Sequence, residues 1–310
     1  MTDIESRLAS HDWESRYVAV RELAGRKGKK VLELLRKASQ DKHQSVRCAV
    51  AISLGELSGR EPVDCLVQLL ADPDEWVRLR AVQSLGRLKV PGSVDYIVQY
   101  LETEEDVKVR ATMVKTIGAY GNEAYLPVLV NYLKDEDPRV RANTIEGLGF
   151  IKDPKVQQIV KKFVKDPNAR IRANAARVLA GAGHSAARQT FQSMLASDNQ
   201  YTRSSAVFAL GELKDEAYLQ MLLKMAGDSS FVVRRNIVDA LVKFGPAIQR
   251  QVEALLGNPD PLKRSDGAQV LAKVGDRRSL RRLIPLLEDP DGEVRARAEE
   301  AIDLIRNRNP

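Results

Sequence analysis

An apolar pattern with a period of about 31 residues, which is in the range of known helical repeats, runs along the whole chain. In its fullest copy, Val77, Ala81, Val82 and Leu85 stand at offsets of −1, +3, +4 and +7 from Arg78. Because an α-helix turns by about 100° per residue, these positions lie on one side of a helix, with the arginine at the edge of that side. Each copy of the pattern therefore predicts an amphipathic helix with one buried side.

Ten arginines set the register of this pattern, and they recur at an almost constant spacing. Each is followed seven residues later by Leu or Ile. The ten are Arg16, Arg47, Arg78, Arg110, Arg141, Arg172, Arg203, Arg234, Arg264 and Arg295. A fixed period of this length is typical of stacked helical repeats, in which no repeat can bury its apolar side alone. The pattern predicts one elongated domain over residues 1–310.

A second apolar stretch precedes most of the arginines. In the third repeat, Leu66, Leu69 and Leu70 share one side of a helix that the dipeptide Asp72-Pro73 then ends. The same triplet recurs as Leu129/Tyr132/Leu133, Val160/Phe163/Val164, Phe191/Met194/Leu195, Val252/Leu255/Leu256 and Leu283/Leu286/Leu287. Each repeat is therefore predicted to contain two helices joined by a turn, with the Asp of the turn capping the second helix.

Two further recurring positions are expected to complete the repeat. A buried guanidinium must be paired, and an acidic residue usually stands six residues before the arginine, which predicts an ion pair between Asp72 and Arg78 within a ladder that ties the repeats together. Glycine also follows the Leu or Ile in five repeats, at Gly55, Gly86, Gly118, Gly149 and Gly211. These glycines are expected near the C-terminal ends of the second helices, where glycine is favoured.

The sequence resembles the HEAT-repeat family, in particular its short HEAT-like class first associated with phycobilisome lyases. The resemblance rests on the pattern Asp-Pro-x-x-x-Val-Arg-x-x-Ala-x-x-x-Leu-Gly, which is most complete at residues 72–86. It implies an all-α fold, a right-handed α-solenoid of about ten repeats with the second helices on the concave side. It implies little about activity, since such folds serve as binding scaffolds and in a few enzymes.

Departures from the repeat pattern indicate the terminal repeats of the solenoid and an irregular ninth repeat. Apolar positions are lost in the last repeat, as at Glu299, and the chain is expected to have capping repeats at about 1–27 and about 276–310. The ninth repeat is one residue shorter, with Lys263 and Gly267 at positions that usually hold Val and Ala. Local irregularity is expected there.

Composition and charge narrow the class of protein. Hydrophobic residues make up 44% of the chain and charged residues 29%, which is typical of a folded protein. No apolar run approaches the roughly 20 residues that cross a bilayer, and no signal pattern opens the chain, so a cytoplasmic location without membrane association is expected. The net charge of +7 comes from residues 153–310, which hold 26 basic and 19 acidic residues.

Residues suited to catalysis or metal binding are few. The three histidines, His11, His43 and His184, lie in different repeats, and Cys48 and Cys65 form no CxxC pair. The sequence therefore predicts no metal site, no cofactor and no catalytic residues. It also contains no His-Glu dipeptide, which excludes the two-iron deoxyhypusine hydroxylases that resemble this fold.

The outward side of the second helices holds the candidate binding residues. Positions −3, −2, +1, +2 and +5 from each arginine point away from the predicted core and are enriched in aromatic residues. The aromatic candidates are Trp13, Tyr17, Trp76, Tyr201, Phe208 and Phe231, and the basic ones are Arg80, Lys108, Lys115, Arg139, Arg170, Arg177 and Arg235. Exposed aromatic residues interleaved with arginine are typical of protein interfaces.

The sequence thus predicts a non-catalytic scaffold that binds a protein partner on the concave side of the solenoid. An alternative is a nucleic-acid-binding solenoid, in which the basic side chains contact phosphates and the aromatic ones stack on bases. A third hypothesis, suggested only by the resemblance, is an enzyme of the bilin-lyase type.

Overall fold

The protein is an all-α repeat solenoid. The computed structural model describes residues 2–308, and these contain twenty α-helices, a few short 3₁₀ segments and no strand. The helices are α1 (Thr2–Leu8), α2 (Trp13–Leu23), α3 (Lys29–Ala38), α4 (Gln44–Leu54), α5 (Val63–Leu69), α6 (Glu75–Leu88), α7 (Ser93–Leu101), α8 (Val107–Ala119), α9 (Leu126–Tyr132), α10 (Pro138–Leu148), α11 (Lys155–Val160), α12 (Ala169–Gly181), α13 (Ala186–Leu195), α14 (Gln200–Leu213), α15 (Glu216–Met225), α16 (Phe231–Val242), α17 (Gln249–Glu253), α18 (Pro261–Val274), α19 (Leu280–Leu283) and α20 (Gly292–Arg308). Odd-numbered helices are the first helices of the repeats and even-numbered ones the second.

The helices form two compact units, Met1–Gln158 and Ile159–Pro310, whose boundary falls within α11. The single domain over residues 1–310 remains a prediction, as do its capping repeats. The first residue and the last two residues of those capping repeats lie outside the described part of the chain.

The second helices bury the side that the apolar pattern predicts. Val77, Ala81, Val82 and Leu85 have no exposed surface, and Arg78 stands at the edge of this side with 18% of its side chain exposed. The first helices contribute buried residues from the predicted triplets, such as Leu66 and Leu69 of α5 and its C-cap residue Leu70. The apolar period thus identifies the core of the repeat.

The prediction that Leu287 belongs to the core is wrong. Its side chain is 42% exposed, although Leu283 and Leu286 of the same triplet are buried. The chain from Ile284 to Glu288 forms a 3₁₀ helix after the single turn of α19. Because a 3₁₀ helix has three residues per turn, the side that is buried at Leu283 and Leu286 does not include the next residue.

The N-cap of the second helix lies two residues after the predicted Asp72, and α6 itself begins at Glu75. Asp74, not Asp72, is the N-cap of α6, and its carboxylate accepts hydrogen bonds from the N–H groups of Trp76 and Val77 at 3.0 and 3.2 Å. The Asp72 carboxylate instead accepts from the N–H of Asp74 at 3.0 Å and braces the turn. Pro73 has no N–H to donate, so the first free donors available to a cap lie beyond it.

The arginine ladder exists, but its pairing is shifted by one repeat from the prediction. Arg78 does not pair with the Asp72 carboxylate; its Nε and Nη2 donate to Glu104 of the following turn, each at 2.8 Å. Its Nη1 donates to the carbonyl oxygens of Asp72 and Pro73. Because one edge of the guanidinium is used by the carbonyls of its own turn, the other edge faces the next repeat. The Asp72 carboxylate is bound by Arg47.

The same pairing recurs wherever an acid is available in the next turn of the same unit. The pairs are Arg16–Asp41, Arg47–Asp72, Arg78–Glu104, Arg110–Asp135, Arg203–Asp228 and Arg264–Asp289. Hydrogen bonding to the Arg264 guanidinium lowers the pKa of Asp289, although burial opposes this by raising it. Ser197 follows Arg172 at the spacing that an acid has elsewhere, so the ladder is modified at that repeat.

Four of the five glycines near the ends of second helices, Gly55, Gly86, Gly118 and Gly211, stand where a Cβ would meet a neighbouring helix at less than 3.0 Å. Gly55 and Gly149 are C-cap residues, as predicted, but Gly86, Gly118 and Gly211 lie within α6, α8 and α14. A Cβ on Gly118 would lie 2.4 Å from the backbone of Gly147 in α10. Glycine is therefore required there because two neighbouring helices approach each other, and not because of a C-terminal conformation.

The expected irregularity of the ninth repeat lies in its first helix. The segment before α18 is divided into a 3₁₀ turn at Gly245–Ile248, the five-residue α17 and another 3₁₀ turn at Ala254–Gly257. The second helix, α18, is continuous over fourteen residues despite Lys263 and Gly267.

Candidate functional site

The predicted aromatic residues of the first unit differ in exposure. Trp76 follows the N-cap of α6 by two residues and is 45% exposed, with the Lys108 ammonium 4.6 Å from the centre of its ring. Trp13 begins α2 and is half-buried, because its indole stacks on the ring of His43 with 4.0 Å between centroids. Tyr17 is also half-buried. Trp76 is thus the exposed member of the three aromatic residues predicted in this unit.

Two predicted basic residues of the first unit are engaged in surface ion pairs. Lys115 pairs with Glu146 at 3.1 Å, and Arg139 pairs with Asp137 at 2.8 Å. Hydrogen bonding to Arg139 lowers the pKa of Asp137 to about 2. Arg80 is half-buried and donates to Gln83, whereas Lys108 is exposed beside Trp76. The predicted stripe therefore contains partly neutralised charges rather than a row of unopposed ones.

The predicted aromatic residues of the second unit are all exposed. Tyr201 and Phe208, at 67% and 54% exposure, lie two helical turns apart on one side of α14. Phe231, at 64%, begins α16, which packs against α14, and Val232 beside it is 45% exposed. We call Tyr201, Phe208, Phe231 and Val232 the α14–α16 surface.

Cationic side chains border the α14–α16 surface. The Lys243 ammonium lies 5.0 Å from the centre of the Phe208 ring and also pairs with Glu212. Arg235, one turn after Phe231 on α16, is exposed. The remaining predicted residues, Arg170 and Arg177, both lie on α12. The second unit thus brings together three predicted aromatic residues and one predicted arginine on two packed helices.

Two of the three histidines, His43 and His184, accept backbone hydrogen bonds at the starts of helices. His43 caps α4 through its Nδ1, which accepts from the N–H of Ser45, and the Nδ1 of His184 accepts from the N–H of Ala186 at the start of α13. Among residues 2–308 no group of three or more His, Cys, Asp or Glu side chains is arranged to hold a metal ion.

A family model described as HEAT repeats matches the chain in six overlapping segments: residues 2–86, 45–107, 63–129, 94–180, 157–242 and 219–303. The chain belongs to the HEAT-repeat family. HEAT repeats build solenoids of the kind typical of protein-interaction scaffolds. Among curated proteins, no sequence matches this chain.

Solved structures with a similar arrangement share little sequence with this HEAT-repeat chain. Escherichia coli YibA is 21% identical, with 78% of this chain and 91% of that chain covered and a TM-score of 0.49. The complex of CpcE and CpcF of phycocyanin lyase from Nostoc sp. PCC7120 is 19% identical, with 86% and 92% covered and a TM-score of 0.42. Human deoxyhypusine hydroxylase in complex with glycerol is 24% identical, with 79% and 96% covered and a TM-score of 0.38. With TM-scores below 0.5, these likenesses carry no inference about function.

Sequence reasoning missed two features of the HEAT repeats in the second unit. Asp266 is 1% exposed although it stands at an outward position of α18, and its carboxylate accepts from the N–H of Gly227 at 2.8 Å. A group of arginines also lines a groove between α17 and α19. The sequence could have indicated this group, because two arginine pairs recur four residues apart, which is about one helical turn. The pairs are Arg277-Arg278 and Arg281-Arg282.

Proposed function

We propose that this HEAT-repeat protein is a non-catalytic scaffold that binds a protein partner through the exposed side of its second helices. The observation that carries the proposal is the α14–α16 surface, where three aromatic side chains are each more than half exposed. Scattered exposed apolar residues need no explanation, but several large ones on two packed helices mark an interaction site. Aromatic side chains beside arginine are the residues that contribute most to protein–protein affinity.

The first unit contributes a second candidate contact in this proposal. Trp76 presents nearly half of its surface, with Lys108 over one face of its ring. A partner that covered this ring would bury a large apolar area and remove water from the ammonium–ring contact, which strengthens such contacts. Trp13 and Tyr17 contribute less, because both are already half-buried.

Two further observations favour a protein partner without catalysis. Lys115 and Arg139, which would contact phosphates in the nucleic-acid hypothesis, are held by Glu146 and Asp137. Burial raises the pKa of Cys48 to about 11, so its thiol is protonated at neutral pH and is a poor nucleophile.

Within residues 2–308, none of the helices combines the length and the apolar character that crossing a bilayer requires. A cytoplasmic location remains part of the proposal.

The test begins with a photo-crosslinking amino acid placed at Tyr201 and, as a control, at exposed Gln220 on first helix α15. A partner crosslinked from Tyr201 but not from Gln220 is then purified and titrated with the parent protein, Trp76→Ala and Phe208→Ala. Loss of a true anchor weakens binding by more than about 2 kcal/mol, which is roughly thirtyfold. Equal affinity of both variants and the parent would overturn the proposal. Crosslinks to nucleic acid alone would favour the alternative.

A further inference from the structure

A groove in the second unit is lined by five arginines. A cavity of about 730 Å³ opens between α17 and α19, and its walls carry Arg250, Arg277, Arg278, Arg281 and Arg282 together with the acids Glu253 and Asp276. Arg250 and Arg281 are separated by one period of the sequence pattern, so they stand at the same position of two successive repeats. Guanidinium groups therefore line both walls of the groove.

The two acids of the groove are bound by neutral donors. Glu253 accepts from Gln249 Nε2 at 3.0 Å and from Ser279 Oγ at 2.9 Å. Asp276 accepts from Gln249 Nε2 at 3.0 Å and from the N–H of Arg278 at 2.8 Å. Within residues 2–308, no ion pair joins either acid to Arg250, Arg281 or Arg282. The lining of the groove therefore carries more basic than acidic side chains, five against two.

The groove continues into an apolar part. A second cavity of about 680 Å³ shares Arg250, Arg281 and Arg282 with the first, and is further lined by Ala254, Leu256, Pro285 and Leu286. Ile284 and Leu287 on the same 3₁₀ segment are 47% and 42% exposed. Basic and apolar surfaces thus adjoin along one groove between two first helices.

This combination indicates the kind of ligand. The planar guanidinium fork suits the two oxygens of a carboxylate or phosphate better than a lysine ammonium does. No aromatic side chain lines either cavity, so bases have no stacking surface there. A phosphate backbone also has no apolar side chain that would cover the exposed Pro285 at this end of the groove. A protein segment carries both carboxylates and apolar side chains.

We propose that the groove between α17 and α19 binds an acidic segment of a protein, in which Asp or Glu side chains contact the arginines and neighbouring apolar side chains cover the Pro285–Leu286 end. The site lies on first helices, whereas the α14–α16 surface lies on second helices, so it does not depend on the proposed function. The two sites would allow this chain to hold two protein segments at once.

The test is the binding of a short fluorescein-labelled peptide of glutamates and leucines to the full-length protein, followed by fluorescence anisotropy. Two matched peptides carry Gln in place of Glu, or Ser in place of Leu, and an oligothymidylate of equal length serves as the nucleic-acid probe. The protein variants are Arg250→Gln and Arg281→Gln. Arg306→Gln is the matched control, since Arg306 is exposed on α20 and lines neither cavity.

The acidic peptide is expected to bind, and Arg250→Gln and Arg281→Gln are each expected to weaken it about tenfold or more, because charged hydrogen bonds are lost. Arg306→Gln should change affinity by less than about twofold, since exposed charges are screened by salt. Both matched peptides should bind more weakly. Absence of peptide binding, or equal binding by all variants, would overturn the proposal. Preferred binding of oligothymidylate with the same dependence on Arg250 and Arg281 would replace it with a nucleic-acid site.

Discussion

Arg47 and Asp72 join two successive repeats through a bidentate ion pair. Nε of Arg47 lies 2.6 Å from Oδ2 of Asp72, and Nη2 lies 2.8 Å from Oδ1. Only 13% of the arginine side chain and 5% of the aspartate side chain are exposed. Nη1 of the same guanidinium donates to the carbonyl of Asp41 in its own turn. One arginine thus connects the turn of its own repeat to the turn of the next.

We expect Arg47→Ala to lower the free energy of unfolding by about 3–5 kcal/mol, because the Asp72 carboxylate would remain buried without its partner. A double-mutant cycle with Asp72→Ala, measured by thermal unfolding, should show a coupling energy of about 1–3 kcal/mol between the two side chains. A coupling near zero would contradict the pair.

The control is a second cycle that combines Asp72→Ala with Arg78→Ala. Arg78 contacts the backbone carbonyl of Asp72 but not its carboxylate, whose partner is Arg47. The coupling in this cycle should therefore stay within about 0.5 kcal/mol, as for side chains that do not interact. A larger coupling for this pair than for Arg47 and Asp72 would restore the pairing predicted from the sequence.

Gly118→Ala should destabilise the first unit. The added Cβ would lie 2.4 Å from the backbone of Gly147, so α8 and α10 would have to separate, at a cost of about 1–3 kcal/mol or more. The matched control is Gly181→Ala at the end of α12, where a Cβ meets nothing within 4 Å. Because alanine favours helix more than glycine does, the control should gain up to about 1 kcal/mol. Thermal unfolding that shows equal shifts for both variants would contradict the close approach.

The repeat unit and its core could be predicted from the sequence because both depend on periodicity, but the ladder pairing could not. Asp72 precedes Arg78 by six residues, and it follows Arg47 at an offset that recurs just as regularly, since the two offsets add up to the period of the repeat. Sequence spacing is therefore equally consistent with either partner for Asp72. Only the orientation of the guanidinium decides, because one edge of Arg47 binds the carbonyl of Asp41 and the other edge is left for Asp72.

The exposure of the candidate residues was predicted less well than the core of the repeat, because it also depends on contacts between repeats. Angles around one helix locate the side facing its own core but not the surfaces that neighbouring repeats cover. Leu79 and Asp266 stand at outward positions and are only 9% and 1% exposed. Trp13 is half-buried because His43 of the next repeat stacks on it. Tyr201 and Phe231, by contrast, have no such cover and are as exposed as the angle implies.

Asp266 should make stability depend on pH in the direction opposite to the ladder acids. Burial raises its pKa to about 6, against the hydrogen bond from Gly227 and the Arg234 guanidinium 3.9 Å away, which lower it; Glu293 and Asp260 raise it slightly. A raised pKa in the folded state contributes stability below the unfolded value of about 4, and that contribution is lost as the pH rises through 6.

Asp266→Asn should therefore raise the free energy of unfolding by about 1–3 kcal/mol at neutral pH, and the gain should vanish near pH 4, where the parent carboxyl is protonated in both states. Melting temperatures across this range provide the measurement. Asp239→Asn, at an exposed position of α16, is the control and should shift stability by less than about 0.5 kcal/mol at any of these pH values. A loss of stability for Asp266→Asn at neutral pH would show that Arg234 stabilises the ionised form.

The α14–α16 surface should be dispensable for folding. Phe208 and Leu210 are two residues apart on α14, but Phe208 is 54% exposed and Leu210 is fully buried. Leu210→Ala should cost about 2–5 kcal/mol, because it leaves a cavity in the core. Phe208→Ala should cost less than about 1 kcal/mol, since it removes only a partly exposed ring and its contact with Lys243.

A double variant that removes both Phe208 and Phe231 tests whether the exposed rings form one apolar surface. A dye that fluoresces on apolar surfaces should bind the parent and Leu210→Ala alike under native conditions, and bind less to the double variant Phe208→Ala/Phe231→Ala. Equal dye binding by that double variant would mean that the rings act as isolated residues. A large fall in melting temperature for Phe208→Ala would mean that the ring supports the fold. In either case the α14–α16 surface would lose its interpretation as a docking surface, because an interface residue is one that the free protein can lose without unfolding.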